Sequence, residues 1–136
     1  MIRYLLDTTL LAAYLARRQF AVALISPWIS NQEAATSILA YGEVVEHLKG
    51  KPNFPQHHSA LRHLLEVVQP YMLALSILDR YADIRRVLRP PYGPGLIGDM
   101  DTLIAATAVE FGLTLVTTDQ DFQRVPDLNV LLAPRR

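Results

Sequence analysis

The chain of 136 residues contains no cysteine. Disulfide bonds, cysteine-ligated zinc and a thiol nucleophile are therefore excluded. Long apolar runs are also missing, since none approaches the roughly 18 residues that a membrane-spanning helix needs. No signal-peptide pattern is visible, because Met1 leads directly into a short apolar stretch that is interrupted at Asp7. These absences predict a cytoplasmic protein without a membrane segment.

Both the net charge and the fraction of charged residues are low. Thirteen basic residues balance 13 acidic ones, and charged residues make up only 19% of the chain. Overall charge thus carries no sign of nucleic-acid binding, and any RNA contact has to use a local basic patch. The low charge content also hints at apolar surface that a partner covers. The apolar stripe from Leu61 to Val68 is the candidate, with ordinary core packing as the alternative.

Hydrophobic periodicity predicts that strands alternate with helices along a single domain spanning residues 1–136. The predicted strands cover residues 2–6, 34–38, 72–77, 113–116 and 128–132. The predicted helices are one capped by Thr8 or Thr9, one over 19–30 broken at Pro27, two over 39–48 and 78–88, and one from an Asp101 N-cap to Gly112. This alternation favours an α/β fold with a parallel sheet between helix layers.

Four carboxylates are predicted to meet at one edge of this sheet. Asp7 and Asp119 each come soon after an apolar strand. Glu43 lies in the first turns of the helix after another strand, and Asp101 opens the helix that leads into the last core strand. In parallel sheets, ligands bind beyond the carboxyl ends of the strands. Clustered acids repel one another unless a hard cation lies between them, so Mg²⁺ or Mn²⁺ is expected; taken singly, each Asp also suits a turn or N-cap.

Four segments resemble the motifs of PIN-domain proteins, in particular the VapC-like toxins. Residues 4–11 (YLLDTTLL) resemble the opening strand, and residues 37–45 (SILAYGEVV) resemble the second motif. Residues 101–108 (DTLIAATA) are similar to the Asp-x-x-Ile-Ala-Ala helix of the family, and residues 113–122 (LTLVTTDQDF) to its last motif. The segments occur in family order and together cover essentially the whole chain.

The resemblance implies a PIN-like three-layer α/β/α sandwich with a central, mostly parallel sheet. It implies an Mg²⁺-dependent endoribonuclease, with Mn²⁺ able to substitute, that acts as the toxin of a toxin–antitoxin pair and cleaves RNA phosphodiester bonds with metal-activated water. The metal ligands and catalytic residues that it implies are Asp7, Glu43, Asp101 and Asp119. The partners that it implies are a VapB-like antitoxin and a second copy in a homodimer.

Four further residues are candidates for supporting roles. Thr8 and Thr117 are expected to orient carboxylates or waters. Asp99 lies two residues before Asp101 and is an additional acid, with a loop role as the alternative. Asp121 is another acid that can share the role of Asp119, with a turn role as the alternative.

Two groups of arginines are candidates for RNA binding. Arg17 and Arg18 follow the first predicted helix, while Arg85, Arg86 and Arg89 precede a loop rich in proline and glycine. Arginines of this kind suit phosphate contacts, which position a strand without reading its sequence. For each group the alternative is a solvated helix face.

Other functions compete with the nuclease. A phosphohydrolase with an aspartyl nucleophile would want a second Asp two residues after Asp7, where Thr9 stands. A phosphoacceptor receiver would need a lysine at the end of the last strand, but Lys49 and Lys51 lie far from it. A degenerate PIN domain that binds RNA or a partner without cleavage is less favoured, because all four acids are present.

Overall fold

The computed structural model describes residues 1–134, which form five strands and six α-helices. The strands are β1 (Tyr4–Leu6), β2 (Ala34–Ser37), β3 (Gln69–Tyr71), β4 (Thr114–Thr117) and β5 (Asn129–Leu132). The helices are α1 (Thr8–Leu15), α2 (Gln19–Ser30), α3 (Ile38–Lys49), α4 (Phe54–Leu64), α5 (Leu75–Leu88) and α6 (Asp99–Phe111). A short 3-10 helix, Gln120–Arg124, follows β4. The sheet order is β3-β2-β1-β4-β5, and every pairing is parallel.

Helices cover both faces of the sheet, as the alternation within β1 shows. Leu5 and Leu6 are both fully buried, but they belong to different cores. Leu5 shares its core with buried residues of α3, α5 and α6, whereas Leu6 shares the other with Ala21 and Ile25 of α2. Each fully buried leucine stabilises the fold by about 1.5–3 kcal/mol relative to an exposed one. The predicted three-layer α/β/α arrangement is confirmed, and the sheet is parallel throughout the described residues.

Two details of the first helices differ from prediction. Neither Thr8 nor Thr9 caps α1; Asp7 does, by accepting a hydrogen bond from the backbone N–H of Leu10 at 3.1 Å. The predicted break at Pro27 is also wrong, since α2 continues through it to Ser30. Pro27 and the residue one turn before it, Ala23, are both exposed. Water can therefore hydrogen-bond the carbonyl group that the proline leaves without a partner.

The predicted strand over 72–77 is wrong. The third strand is only Gln69–Tyr71, and α5 begins at Leu75, three residues before the predicted start. β3 pairs with β2 alone and is therefore an edge strand, where Pro70 is tolerated because one side needs no N–H donor. Of the apolar residues that suggested a strand, Met72, Leu73 and Leu75 are exposed, with Met72 64% exposed, and Ile77 is buried as part of α5.

The apolar stripe over residues 61–68 is mainly core. Leu61 and Val68 are fully buried, which matches the alternative of ordinary core packing for them, while Val67 in the same range is 53% exposed. Apolar side chains are exposed nearby, and together they form the apolar β3–α5 surface. Its members are Val67, Met72, Leu73, Leu75 and Leu78. Within residues 1–134, no helix combines the length and the apolar character that crossing a membrane requires.

The N-cap of α6 lies three residues earlier than the predicted Asp101. Gly98 is the N-cap, and its carbonyl accepts hydrogen bonds from the backbone N–H and the hydroxyl of Thr102, both at 2.8 Å. Asp101 is therefore not the cap but the third residue of the helix, and its carboxylate is not used in capping. The predicted end of the helix at Gly112 is confirmed, because that residue adopts the left-handed conformation with φ of 64°.

Candidate active site

The sheet topology brings four acidic side chains to one edge. Asp7 directly follows β1, and Asp119 lies two residues beyond β4, the strand that pairs with β1 in parallel. Glu43 is on α3, which follows β2, and Asp101 is in the first turn of α6. Because β2, β1 and β4 are neighbours, their carboxyl ends and the segments after them share this edge.

Asp7 is almost completely buried, with 3% of its surface exposed. The Thr117 hydroxyl donates to its Oδ2 at 2.5 Å, while the Thr9 hydroxyl and the Leu10 N–H donate to Oδ1 at 2.6 and 3.1 Å. Burial raises the pKa of Asp7, and the hydrogen bonds from Thr117 and Thr9 oppose that rise. A carboxylate accepts about four hydrogen bonds or ligands, so this one retains capacity for an ion.

Thr117 joins Asp7 to Asp119. Its hydroxyl donates to Asp7 and accepts the backbone N–H of Asp119 at 3.0 Å. Asp119 in turn accepts the N–H of Asp121 at 2.9 Å and caps the 3-10 helix. The carboxylate of Asp121 contacts Arg124 at 3.2 Å. The two strand-end acids are thus held in register by one buried threonine, and Asp121 serves the turn.

Glu43 is partly buried and is fixed by Thr8. The Thr8 hydroxyl, in the first turn of α1, donates to Oε1 of Glu43 at 2.5 Å. Both threonines that the sequence singled out for orienting roles therefore contact a carboxylate. The sequence reasoning missed Thr9, whose hydroxyl binds Asp7 and also accepts the backbone N–H of Thr118 at 3.3 Å. Its position two residues after Asp7, in the Asp-Thr-Thr segment, could have indicated this contact.

Asp101 experiences the combined charge of the site. Its pKa is raised to about 6, chiefly by burial and then by the negative charges of Glu43, Asp119, Asp7 and Asp121, in that order. Unlike Asp7, it has no hydrogen-bond donor among residues 1–134 to offset this effect. Asp101 is therefore close enough to the other three predicted site acids for their charges to act on it.

Asp99 is directed differently from Asp101. Its Oδ1 accepts hydrogen bonds from the Arg85 guanidinium at 2.8 Å and from the Tyr81 hydroxyl at 3.1 Å, both on α5. It is the first residue of α6, so neither the loop role nor an extra acid at the site matches this geometry. Asp99 joins α6 to α5, and it neutralises one of the arginines proposed for RNA contact.

The donors at this edge fit a hard divalent cation. All are carboxylate or hydroxyl oxygens, and within residues 1–134 no lysine or arginine contacts any of the four site acids. In the same part of the chain no three acidic or histidine side chains form a ready-made cage for an ion. This suits Mg²⁺, which keeps several of its waters and usually takes only one or two carboxylates directly.

Comparison with known proteins identifies the family. Residues 4–128 match the PIN domain family. The chain belongs to the PIN-domain family. Ribonuclease VapC1 of Haemophilus influenzae strain R2866 is 28% identical over 127 residues, which cover 92% of this PIN domain and 93% of the relative. The predicted resemblance is confirmed.

Solved structures agree with the fold of this PIN domain. VapBC-1 from nontypeable Haemophilus influenzae superposes with a TM-score of 0.81 at 26% identity, over 97% of this chain and 98% of that chain. VapBC2 from Rickettsia felis, bound to a DNA fragment from its promoter, gives a TM-score of 0.85 at 23% identity, over 98% and 100%.

Proposed function

We propose that this PIN domain is an Mg²⁺-dependent endoribonuclease that acts as the toxin of a toxin–antitoxin pair. One observation carries the proposal: carboxylates from four separate segments gather at the carboxyl edge of the sheet, and the pKa of Asp101 is raised to about 6 in part by the other acids. Among residues 1–134 no basic side chain contacts these acids to balance the charge. A divalent cation supplies that balance.

Asp7, Glu43, Asp101 and Asp119 would hold the ion, and Mn²⁺ is expected to substitute for Mg²⁺. When bound, the ion polarises a phosphodiester and activates water for its hydrolysis. The chain's own contribution is positioning. Thr117 sets Asp7 and Asp119 relative to each other, Thr8 sets Glu43, and the burial of Asp7 limits its movement.

The choice of RNA and of an antitoxin partner is supported by the relatives. The matched curated protein is named a ribonuclease, and the solved structures include VapBC complexes, described as toxin–antitoxin systems in one case. A VapB-like antitoxin is therefore proposed as a partner, and the resemblance to VapC-like toxins adds a second copy of this chain in a homodimer. The apolar β3–α5 surface offers exposed side chains, among them Leu75 at 82% exposure, that a protein partner can cover.

Cleavage of a labelled single-stranded RNA by the purified chain tests the enzyme. Mg²⁺ or Mn²⁺ should support cleavage, Ca²⁺ should support it poorly, and excess chelator should abolish it. The matched control is Asp101→Asn, which removes a charge and keeps the shape. Cleavage in excess chelator would contradict the metal mechanism, and RNA binding without cleavage under any metal would identify a degenerate PIN domain.

Induced expression in a bacterial host tests the toxin role. Wild type should arrest growth, Asp101→Asn should not, and co-expression of a cognate VapB-like antitoxin should relieve the arrest. Growth unaffected by a wild-type protein that cleaves RNA in vitro would remove the toxin role and leave the nuclease.

A further inference from the structure

A groove of about 660 Å³ opens beside the acidic site, between α1, the start of α2 and α3. Small side chains at Ala12 and Ala13 of α1 and at its C-cap Ala16 line one side of it, and Val44 and Leu48 of α3 line another. Ala16 follows Ala12 by four residues and Ala13 by three, so its side chain lies near both of theirs, and these small side chains leave room. The result is a channel between helices and not a cavity within the core.

The groove adjoins the acidic site without including its carboxylates. Thr9 and Thr118 are among the lining residues; Thr9 donates to Asp7, and Thr118 directly precedes Asp119. His47, which also lines the groove, is one helical turn beyond Glu43 on α3. A chain lying in the groove therefore passes close to the residues that carry the site carboxylates.

The lining of the groove is basic. Arg17, Arg18 and Lys51 contribute to it together with two histidines, and no Asp or Glu does. All three cationic side chains are exposed, and within residues 1–134 none of them forms an ion pair. Their charges are therefore available to a ligand, whereas the charge of Arg85 on α5 is already paired with Asp99.

Arg17 and Arg18 lie in a hydrogen-bonded turn that follows α1. Arg17 adopts the left-handed conformation with φ of 59°, which glycine or asparagine occupies more easily than arginine. The N–H groups of Arg17 and Arg18 bond back to the carbonyls of Tyr14 and Ala13, so the turn after α1 is tied down. An arginine thus stands at a position where local backbone preference favours another residue.

We propose that this groove, lined by Arg17, Arg18 and Lys51, holds the phosphate backbone of the single-stranded RNA on its way to the acidic site. Separate cations on successive elements match the regular charges of a polynucleotide. Phe20 lies in the groove with the Arg18 guanidinium 6.0 Å from its ring centre, and it offers a face on which a base can stack. This inference rests on the proposed ribonuclease function and assigns the path of its substrate.

Binding of a fluorescent single-stranded RNA to full-length protein tests the path, with Asp101→Asn in every sample to prevent cleavage. The groove variant is Arg17→Gln, Arg18→Gln and Lys51→Gln. Three lost phosphate contacts should lower the slope of log affinity against log salt by about 2 and weaken binding about 100-fold near 0.1 M salt. The matched control, Arg85→Gln with Arg86→Gln and Arg89→Gln, should bind nearly as tightly as the parent.

A charge-preserving variant separates charge from shape. Arg17→Lys, Arg18→Lys and Lys51→Arg together should restore most of the affinity and the salt slope, and thermal unfolding should show that all variants fold. Loss of affinity in the α5 control but not in the groove variant would overturn the proposed path. So would a groove variant that binds RNA like the parent but loses affinity for an oligoglutamate peptide, which would assign the groove to an acidic protein segment.

The cleavage assay shows whether a negative result contradicts the RNA path alone or the ribonuclease function as well. If wild type cleaves RNA while the groove variant retains full affinity, only the path is overturned. If wild type neither binds nor cleaves RNA, both the function and the path are overturned.

Discussion

The two halves of the acidic site are held in different ways. In the strand half, Asp7 and Asp119 lie beyond the adjacent strands β1 and β4, and the buried Thr117 hydroxyl contacts both residues. In the helix half, Glu43 receives one hydrogen bond from Thr8, and Asp101 carries a pKa of about 6. The strand half is therefore held by hydrogen bonds within the fold, whereas in the helix half Asp101 has no hydrogen-bond donor or basic side chain among residues 1–134, and the proposed ion would supply the balancing charge there.

The largest expected effect is common to both halves. Asp7→Asn and Asp101→Asn should each reduce RNA cleavage by about 10³-fold, because each removes a negative charge that the proposed ion requires. Steady-state kinetics with saturating Mg²⁺ measures the loss. Circular dichroism should show a folded protein in both cases. A variant that keeps a tenth of the wild-type rate would exclude its half from the chemistry.

Removing the threonine hydroxyl that contacts each half should affect the two halves to different degrees. Thr117→Val should lower activity or metal affinity by roughly 10–100-fold, because two strand-end residues lose a shared contact. Thr8→Val should cost less, since only Glu43 is released. Thr107→Val is the matched control, because that buried hydroxyl bonds only to the Leu103 carbonyl within α6. Metal titrations that give the reverse order for Thr117 and Thr8 would contradict the comparison.

A smaller effect concerns the stability of the metal-free protein. The pKa of Asp101 in the folded protein is about 6, above its ordinary value of 3.8, so its charged form destabilises the fold. The penalty is absent below about pH 4, grows as the pH rises and is complete above about pH 6. In chelator, Asp101→Asn should therefore raise Tm by roughly 2–4 °C near pH 7.5 and by less near pH 4.5.

Scanning calorimetry at the two pH values checks this expectation, and saturating Mg²⁺ should reverse the advantage of the variant. A gain in Tm of the same size at both pH values would show that the asparagine stabilises the variant through packing and not through the loss of the charge. Burial also raises the pKa of Asp7, but hydrogen bonds to its carboxylate oppose the rise. Asp7→Asn would relieve the cost of burying the charge and weaken those hydrogen bonds, so the two effects on Tm oppose each other.

The smallest effect is expected at Asp99. Its carboxylate is paired with Arg85 and Tyr81, so Asp99→Asn should leave cleavage and its metal dependence nearly unchanged. The free energy of unfolding should fall by about 0.2–1 kcal/mol, as is usual for an exposed ion pair. Denaturant unfolding and the cleavage assay measure the two quantities. A large loss of activity would place Asp99 in the helix half beside Asp101.

The errors of the sequence-based prediction have a common origin. The apolar letters over residues 72–77 suggested a buried strand, but the strand ends at Tyr71 because β3 is a short edge strand. Pro27 suggested a helix end, but the exposed side of α2 tolerates it. In both cases local pattern was outweighed by whether a segment faces solvent, which depends on the elements packed around it.

Apart from α4, which periodicity did not delimit as a helix, the sequence by itself determined the order of strands and helices, the position of Asp7 and Asp119 beyond strands and the family. These follow from short-range periodicity and from compact motifs. Only the tertiary structure decided that Thr117 binds a carboxylate 110 residues away, that Asp99 is paired with α5 and that burial and neighbouring charges raise the pKa of Asp101 to about 6. The physical reason is that these properties depend on β1 and β4 lying side by side and on α5 packing against α6, and local spacing along the chain does not encode such neighbours.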